Sequence, residues 1–430
     1  MTGWDEAVAI LPAPRHYGIS VSETPLAPTH VMAPLAVTHY TATSALGRGR
    51  AAHLAALQMG ESGLRPNDFG PLHDGAPLPT WIGRVDGLEK ATLPASLAEW
   101  DCRNNRLAWL ALNQDGLLDA ALAARDRYGA ARVAIVMGTS TASIGETEDA
   151  YTQLTDDGQF PPHMRRPKIH TPHSLGNFVQ AATGLQGPCI TVATACSSSA
   201  KVFAQAARLM EAGLVDAALV GGVDTLCGSV LYGFNALGLV SKNPCMPFDA
   251  RRDGLSLGEA GGYALIERVE AGDAASPRLL SYGESSDAHH MSAPHPEGLG
   301  AQLTMRDALA RAGVAAGDVG YLNLHGTSTP ANDSVEAKAV KALFPDGLHA
   351  SSTKGWPGHT LGAAGIVEST IALLALEHGF LPGTLNSRVA DPECGPQIRF
   401  AAQTKPIRFA MNNSFGFGGN NCSLLFGVGA

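Results

Sequence analysis

The stretch Thr-Val-Ala-Thr-Ala-Cys-Ser-Ser-Ser-Ala, residues 191–200, runs out of an extended apolar segment into a helix that opens on small residues, with Cys196 at the junction. A helix N-terminus leaves backbone N–H groups without intrahelical partners and carries partial positive charge, both of which favour a thiolate. The position therefore suits a nucleophile. It suits equally well a buried free cysteine acting as a small hydrophobe. The helix read from here to about Ala212 is apolar nearly all round, the pattern of a helix buried on every side. Residues 362–377, Gly-Ala-Ala-Gly-Ile-Val-Glu-Ser-Thr-Ile-Ala-Leu-Leu-Ala-Leu-Glu, repeat that pattern. Each is entered from a short polar loop, and each is expected to present its N-terminus to the same interior site.

Working outward, strand-like apolar runs alternate with helical patterns. The first series is 132–138, 189–194, 217–223 and 262–267, after an opening core element at 33–38; the second is 278–283, 319–324, 407–412 and 422–427. Such alternation predicts an α/β fold with largely buried sheets. It also predicts two similar halves, residues 31–275 with the cysteine and 276–430, behind a Pro-rich, irregular extension at 1–30.

With 45% hydrophobic residues in 430, the chain has ample material for a large core. Its formal charge of −9 and the lack of a long Lys/Arg run point away from nucleic acid and anionic membranes. Seven cysteines, an odd number without a Cys-x-x-Cys pair, fit neither a disulfide framework nor a thiolate metal site, and suggest a reducing, cytoplasmic setting. No signal-peptide pattern and no membrane-spanning apolar run is read. The 49 glycines, well above the roughly 7% of ordinary chains, predict close backbone approaches.

Two histidines complete a constellation. His325 opens His-Gly-Thr-Ser-Thr-Pro (325–330) at the end of an apolar strand, and His359 lies in Lys-Gly-Trp-Pro-Gly-His-Thr-Leu-Gly-Ala-Ala-Gly (354–365), just ahead of the second buried helix. A helix start favours neutral imidazole. A cysteine and two histidines on three separate junctions are what an acyl-transfer site assembled from distant segments requires.

These segments, together with Asn-Ser-Phe-Gly-Phe-Gly-Gly-Asn-Asn (413–421), Pro-Phe-Asp-Ala-Arg-Arg-Asp-Gly (247–254) and Ser-Asp-Ala-His-His-Met (286–291), resemble the β-ketoacyl synthases of the elongating, Cys-His-His type over roughly residues 33–427. The resemblance implies the thiolase-like fold, duplicated βαβαβαββ halves in an αβαβα five-layer sandwich. It implies decarboxylative condensation of an acyl group on Cys196 with malonyl-acyl carrier protein, in fatty-acid, polyene or polyketide synthesis, with no cofactor and no metal. His325 and His359 would promote decarboxylation and hold the enolate. The N–H groups of Cys196 and Phe417 would form the oxyanion hole, Gly416 would permit that loop, and Phe417 would gate the acyl pocket.

By the same resemblance Lys354 and Glu336 form a buried ion pair, and Phe415, Thr327, Thr329 and Thr141 belong to the substrate site, Thr141 as a limit on chain length. Glu259 and His290 are weaker candidates. Trp356 and Pro357 depart from the usual pattern and are expected to reshape the malonyl or pantetheine entrance. Acyl carrier protein is the implied partner, with Arg165, Arg166, Lys168, Arg251 and Arg252 as docking candidates. A homodimer is implied, or a heterodimer with a related subunit. Three other readings stay in view. A non-elongating subunit would lack the nucleophile, a starter-type synthase would carry Asn in place of His359, and a thiolase would need a late second cysteine, for which Cys422 is a candidate.

Overall fold

The computed structural model describes residues 31–70, 76–270 and 276–428; the predicted extension at 1–30 lies outside the described residues. The first series of runs becomes β1 (Leu35–Ser44), β2 (Val133–Gly138), β3 (Cys189–Val192), β4 (Ala217–Asp224) and β5 (Ala260–Arg268). The second becomes β6 (Arg278–Ser286), β7 (Tyr321–Asn323), β9 (Phe409–Gly416) and β10 (Asn420–Gly427), and the structure adds β8 (His349–Ser351), which was not among those runs. All lie in one 11-stranded sheet, in the order β8-β7-β9-β10-β6-β1-β5-β4-β2-β3, with Gly47–Arg48 hung on β1.

Counted from its own first strand, each half runs third, second, fourth, fifth, first. In both, the second strand is parallel to the third and fourth, while the fifth is antiparallel to the fourth and the first. The halves meet where β1 pairs antiparallel with β6, Leu35 opposite Leu279. β2 and β4 are buried along their whole length and, but for the terminal Asp224 of β4, read as unbroken apolar runs, as strands covered on both faces must.

Helices supply the other layers. α1 (Arg103–Leu112), α2 (Leu117–Tyr128) and α3 (Ser174–Thr183) cover the outer face of the first half through Leu107, Leu112, Leu117 and Phe178. The central pair follows the third strand of each half: α4 (Ser198–Glu211) after β3, and α7 (Ala364–His378) after β8. α5 (Leu299–Ala312) and α6 (Pro330–Leu343) cover the outer face of the second half. One core joins α4 and α7 to strands of both halves. The result is an α, β, α, β, α stack. Residues Leu361–His378 have the length and mean hydropathy, 1.3, of a membrane-crossing helix, but 89% of that window is buried inside the protein.

The glycines let the central helices close up. A Cβ at Gly138 would lie 2.5 Å from the Ser199 nitrogen, and one at Gly365 2.4 Å from the Ala200 nitrogen, so the N-termini of α4 and α7 press against a strand end and each other. Deeper in the layer, Phe203 of α4 meets Phe426 of β10 edge-on, with ring centroids 5.7 Å apart. Phe203→Ala should lower stability by about 3–5 kcal/mol in denaturant titration, since the cavity would open where the halves join. A loss below about 1 kcal/mol would contradict that packing.

Candidate active site

Cys196 sits in the 3-10 turn Ala195–Ser197 between β3 and α4, 5% exposed. Ala195 takes φ +51°, a left-handed conformation costly for a residue with a Cβ. Local hydrogen bonds hold the turn: the Thr194 N–H donates to Ser198 Oγ (2.9 Å), whose hydroxyl donates to the Ala195 carbonyl (2.6 Å).

His325 leaves β7 on a loop anchored by Glu336 of α6, whose carboxylate accepts the N–H groups of His325 (2.9 Å) and Gly326 (2.7 Å) and the Asn413 amide (3.2 Å). The Lys354 ammonium donates to the His325 carbonyl and to Glu368 of α7, and lies 3.4 Å from His325 Nδ1. His359 places Nε2 3.0 Å from Cys196 Sγ, while its Nδ1 accepts the Leu361 N–H at 3.3 Å. The two imidazoles stand edge to face, centroids 5.5 Å apart.

A donor behind each Nδ1 fixes the tautomer, because Nδ1 must offer a lone pair and the ring proton must then sit on Nε2. Burial drives both histidines well below their ordinary pKa, and the Lys354 charge adds to this, so both are neutral. The cavity thus faces Cys196 with two Nε2–H donors. The ligating atoms of these three residues lie within 4.8 Å of one another, as a metal set would. Ligation through Nε2 would need the opposite tautomers, with Nδ1–H pointed at Lys354 and at the Leu361 N–H, so the grouping is poorly suited to a cation.

The thiol departs from the sequence expectation. Burial pushes Cys196 up to about 12; the Lys354 charge and the Phe417 N–H oppose this, and Asp224 and Glu368 reinforce it. Enclosure outweighs the helix terminus in the resting site. Alkylation of Cys196 by iodoacetamide, followed by peptide mapping, should therefore rise about tenfold per pH unit from 6 to 9, in step with the thiolate fraction. A plateau by pH 7 would show a preformed thiolate instead.

A cavity of about 250 Å³ opens on Cys196, His325, His359 and Glu336, and is lined also by Thr327, Thr329, Phe415, Gly416 and Phe417. The Thr327 and Thr329 hydroxyls are hydrogen-bonded at 2.8 Å. Phe415 packs on the His325 ring, and Phe417 stacks on Phe234 at 5.7 Å. Gly416 is required by space, since a Cβ there would lie 2.5 Å from the Thr194 carbonyl.

Other expected positions fall elsewhere. The partner of Lys354 is Glu368, not Glu336, which is occupied in holding the His325 loop. Glu368 had a signal in the sequence, an ionisable residue inside an otherwise apolar buried helix, which demands a partner. Burial pushes both carboxyls up to about 7, opposed at Glu336 by the Gly326 and His325 N–H groups and at Glu368 by Lys354.

Thr141 does not line the cavity; its N–H and hydroxyl are both given to Asp224. Trp356 is buried in the central core, and the Pro357 carbonyl packs against Gly83 and Gly258, so neither residue shapes an entrance. Glu259 is an internal latch, paired with Arg103 and accepting the Val85 and Leu226 N–H groups; His290 is exposed and does not itself line the cavity, though its Nδ1 accepts the N–H of Ser292, which does. Cys422 is buried within β10 and does not reach the cavity.

The family described as "Beta-ketoacyl synthase, N-terminal domain" matches residues 104–271, and "Beta-ketoacyl synthase, C-terminal domain" matches 278–388. The 3-oxoacyl-[acyl-carrier-protein] synthase 2 of Staphylococcus aureus (strain N315) is 34% identical over 330 residues, 73% of this chain and 79% of that protein. The mitochondrial 3-oxoacyl-[acyl-carrier-protein] synthase of Arabidopsis thaliana is 38% identical over 279 residues, 60% of each chain. Among solved structures, a ketosynthase from Xenorhabdus doucetiae in complex with its chain length factor superposes with TM-score 0.82 at 34% identity, over 92% of this chain and 98% of that one. A β-ketoacyl synthase from Burkholderia phymatum STM815 gives TM-score 0.80 at 27% identity, over 93% and 100%. The chain belongs to the β-ketoacyl synthase family.

Proposed function

We infer that this chain is an elongating 3-oxoacyl-[acyl-carrier-protein] synthase, an acyltransferase that lengthens a carrier-bound acyl chain by two carbons from malonyl-acyl carrier protein. The observation that carries this reading is one cavity holding a thiol and two neutral imidazoles whose Nε2–H groups face it.

In the first step Cys196 Sγ attacks the acyl thioester. The thiolate is stabilised by the His359 Nε2–H and the Phe417 N–H, and the carrier thiol leaves with the proton. In the second, the malonyl thioester oxygen takes the two Nε2–H donors. The bond to the malonyl carboxylate breaks, carbon dioxide leaves, and the electron pair forms an enolate with its oxygen held between the rings. Its carbon attacks the acyl-cysteine carbonyl. The N–H groups of Cys196 and Phe417 receive the oxyanion, and collapse expels the Cys196 thiolate, giving the 3-oxoacyl carrier thioester. Thr327 and Thr329 offer hydroxyls to the polar arm that carries the malonyl group, and Phe417 with Phe234 stands between the two substrates.

The presence of Cys196 disfavours a non-elongating subunit, His359 a starter-type synthase, and the interior position of Cys422 a thiolase. Of the candidate carrier-docking cations, Arg252 is withdrawn: it is buried against Asp391 and Asp333. Arg166, Lys168 and Arg251 are engaged by Glu146, Glu99 and Asp249, leaving Arg165, which donates to the Phe160 carbonyl, the more available. β3 ends the sheet with one neighbour and its four residues half-buried, which supports pairing with a second copy or a related subunit there. We place the reaction in the cytoplasm. The test is incubation with malonyl carrier protein and a panel of acyl donors, read by intact-protein mass spectrometry. A 3-oxoacyl product two carbons longer supports the reading; no product with any donor, alone or with a co-expressed related subunit, contradicts it.

A further inference from the structure

Asp224, the last residue of β4, is fully buried, and its neighbours turn only donors towards it. Oδ1 accepts the hydroxyls of Thr139 (2.5 Å) and Thr141 (2.7 Å) and the Thr141 N–H (2.9 Å). Oδ2 accepts the N–H groups of Ser140 (2.8 Å) and Gly362 (2.6 Å). Burial raises the Asp224 pKa, and the Thr139, Thr141 and Ser140 donors oppose this; a proton on Oδ2 would meet only N–H groups.

Its partners come from two distant segments. Thr139–Thr141 follow Gly138, the residue pressed against the N-terminus of the Cys196 helix; Gly362 lies three residues after His359. The approach leaves no room for a side chain, since a Cβ at Gly362 would stand 2.6 Å from Oδ2 and 2.7 Å from the Ser140 nitrogen. The carboxylate therefore fastens the turn after one active-site residue to the strand exit supporting the other.

We propose that Asp224 is a positioning residue of the condensing site, holding the His359 turn in register with the Cys196 turn. This rests on the condensing function proposed above. The same anion lies close enough to disfavour the Cys196 thiolate, so its removal acts on geometry and on charge in opposite senses.

The test uses Asp224→Asn and Thr141→Val in the full chain, with two readouts: carbon dioxide released from malonyl carrier protein, and the iodoacetamide rate at Cys196 from pH 6 to 9. In Asp224→Asn, carbon dioxide release should fall at least about tenfold as His359 shifts, while alkylation becomes severalfold faster at every pH. Thr141→Val keeps the charge and removes one donor; its release should fall severalfold with alkylation unchanged. The proposal is overturned if Asp224→Asn leaves both rates as they were, or lowers both together with the melting temperature, as a merely structural role would. Should Asp224→Asn fail to fold, unchanged release in Thr141→Val overturns it. If the unaltered enzyme releases no carbon dioxide, the condensing reading fails, while the alkylation of Asp224→Asn still decides whether its charge acts on Cys196.

Discussion

Cys196→Ala should show no measurable condensation, a loss of more than about 10⁴-fold, because the acyl group then has no atom to be held on. Cys196→Gln separates the two half-reactions. It removes the thiol but leaves the Nε2–H groups of His325 and His359 in place, together with the Lys354 and Leu361 donors that fix their tautomers. Carbon dioxide should still be released from malonyl carrier protein, without 3-oxoacyl product. Elongation by either variant would contradict the assignment of Cys196. Loss of decarboxylation in Cys196→Gln, with folding intact, would show that the thiol is needed to make the carbanion.

Lys354→Met has the second largest expected effect, and it acts twice. Lys354 is 2% exposed and paired with Glu368, 4% exposed by side chain. Removing one member of a buried pair leaves the other uncompensated, at a cost of about 3–5 kcal/mol. It also takes away the donor behind His325 Nδ1, so the proton on Nε2 is no longer specified, and decarboxylation should fall about 10²- to 10³-fold. The double variant Lys354→Met, Glu368→Gln should recover most of the stability, read as the denaturant midpoint, and none of the activity. Recovery of activity along with stability would mean that Lys354 serves the fold and not the imidazole.

The strands of the fold were legible where apolar runs were long: β2 and β4, buried on both faces, could not read otherwise. β8 was not, because three residues carry no period; only its pairing with β7 reveals that both halves share one strand order. In the site, Cys196, His325 and His359 could be read because each stands at a strand or helix boundary. What could not be read was which buried acid faces which cation. Glu336 and Glu368 both lie in helices that follow a catalytic histidine, and only packing sends the first to backbone N–H groups and the second to Lys354. Arg251-Arg252 looks like a surface pair in sequence, yet Asp333 and Asp391 of the other half draw Arg252 inward. Thr141 shows the same limit, its hydroxyl being taken up by a carboxylate more than eighty residues away.

The most direct measurement follows one acyl group through the site. The chain is incubated with an acyl carrier protein alone, and its mass and peptide map are recorded before and after malonyl carrier protein is added. The mechanism predicts a gain of one acyl group confined to Cys196, then its loss with an equal amount of 3-oxoacyl carrier product and carbon dioxide. An acyl group on another residue, or product formed while Cys196 stays unmodified, would contradict it.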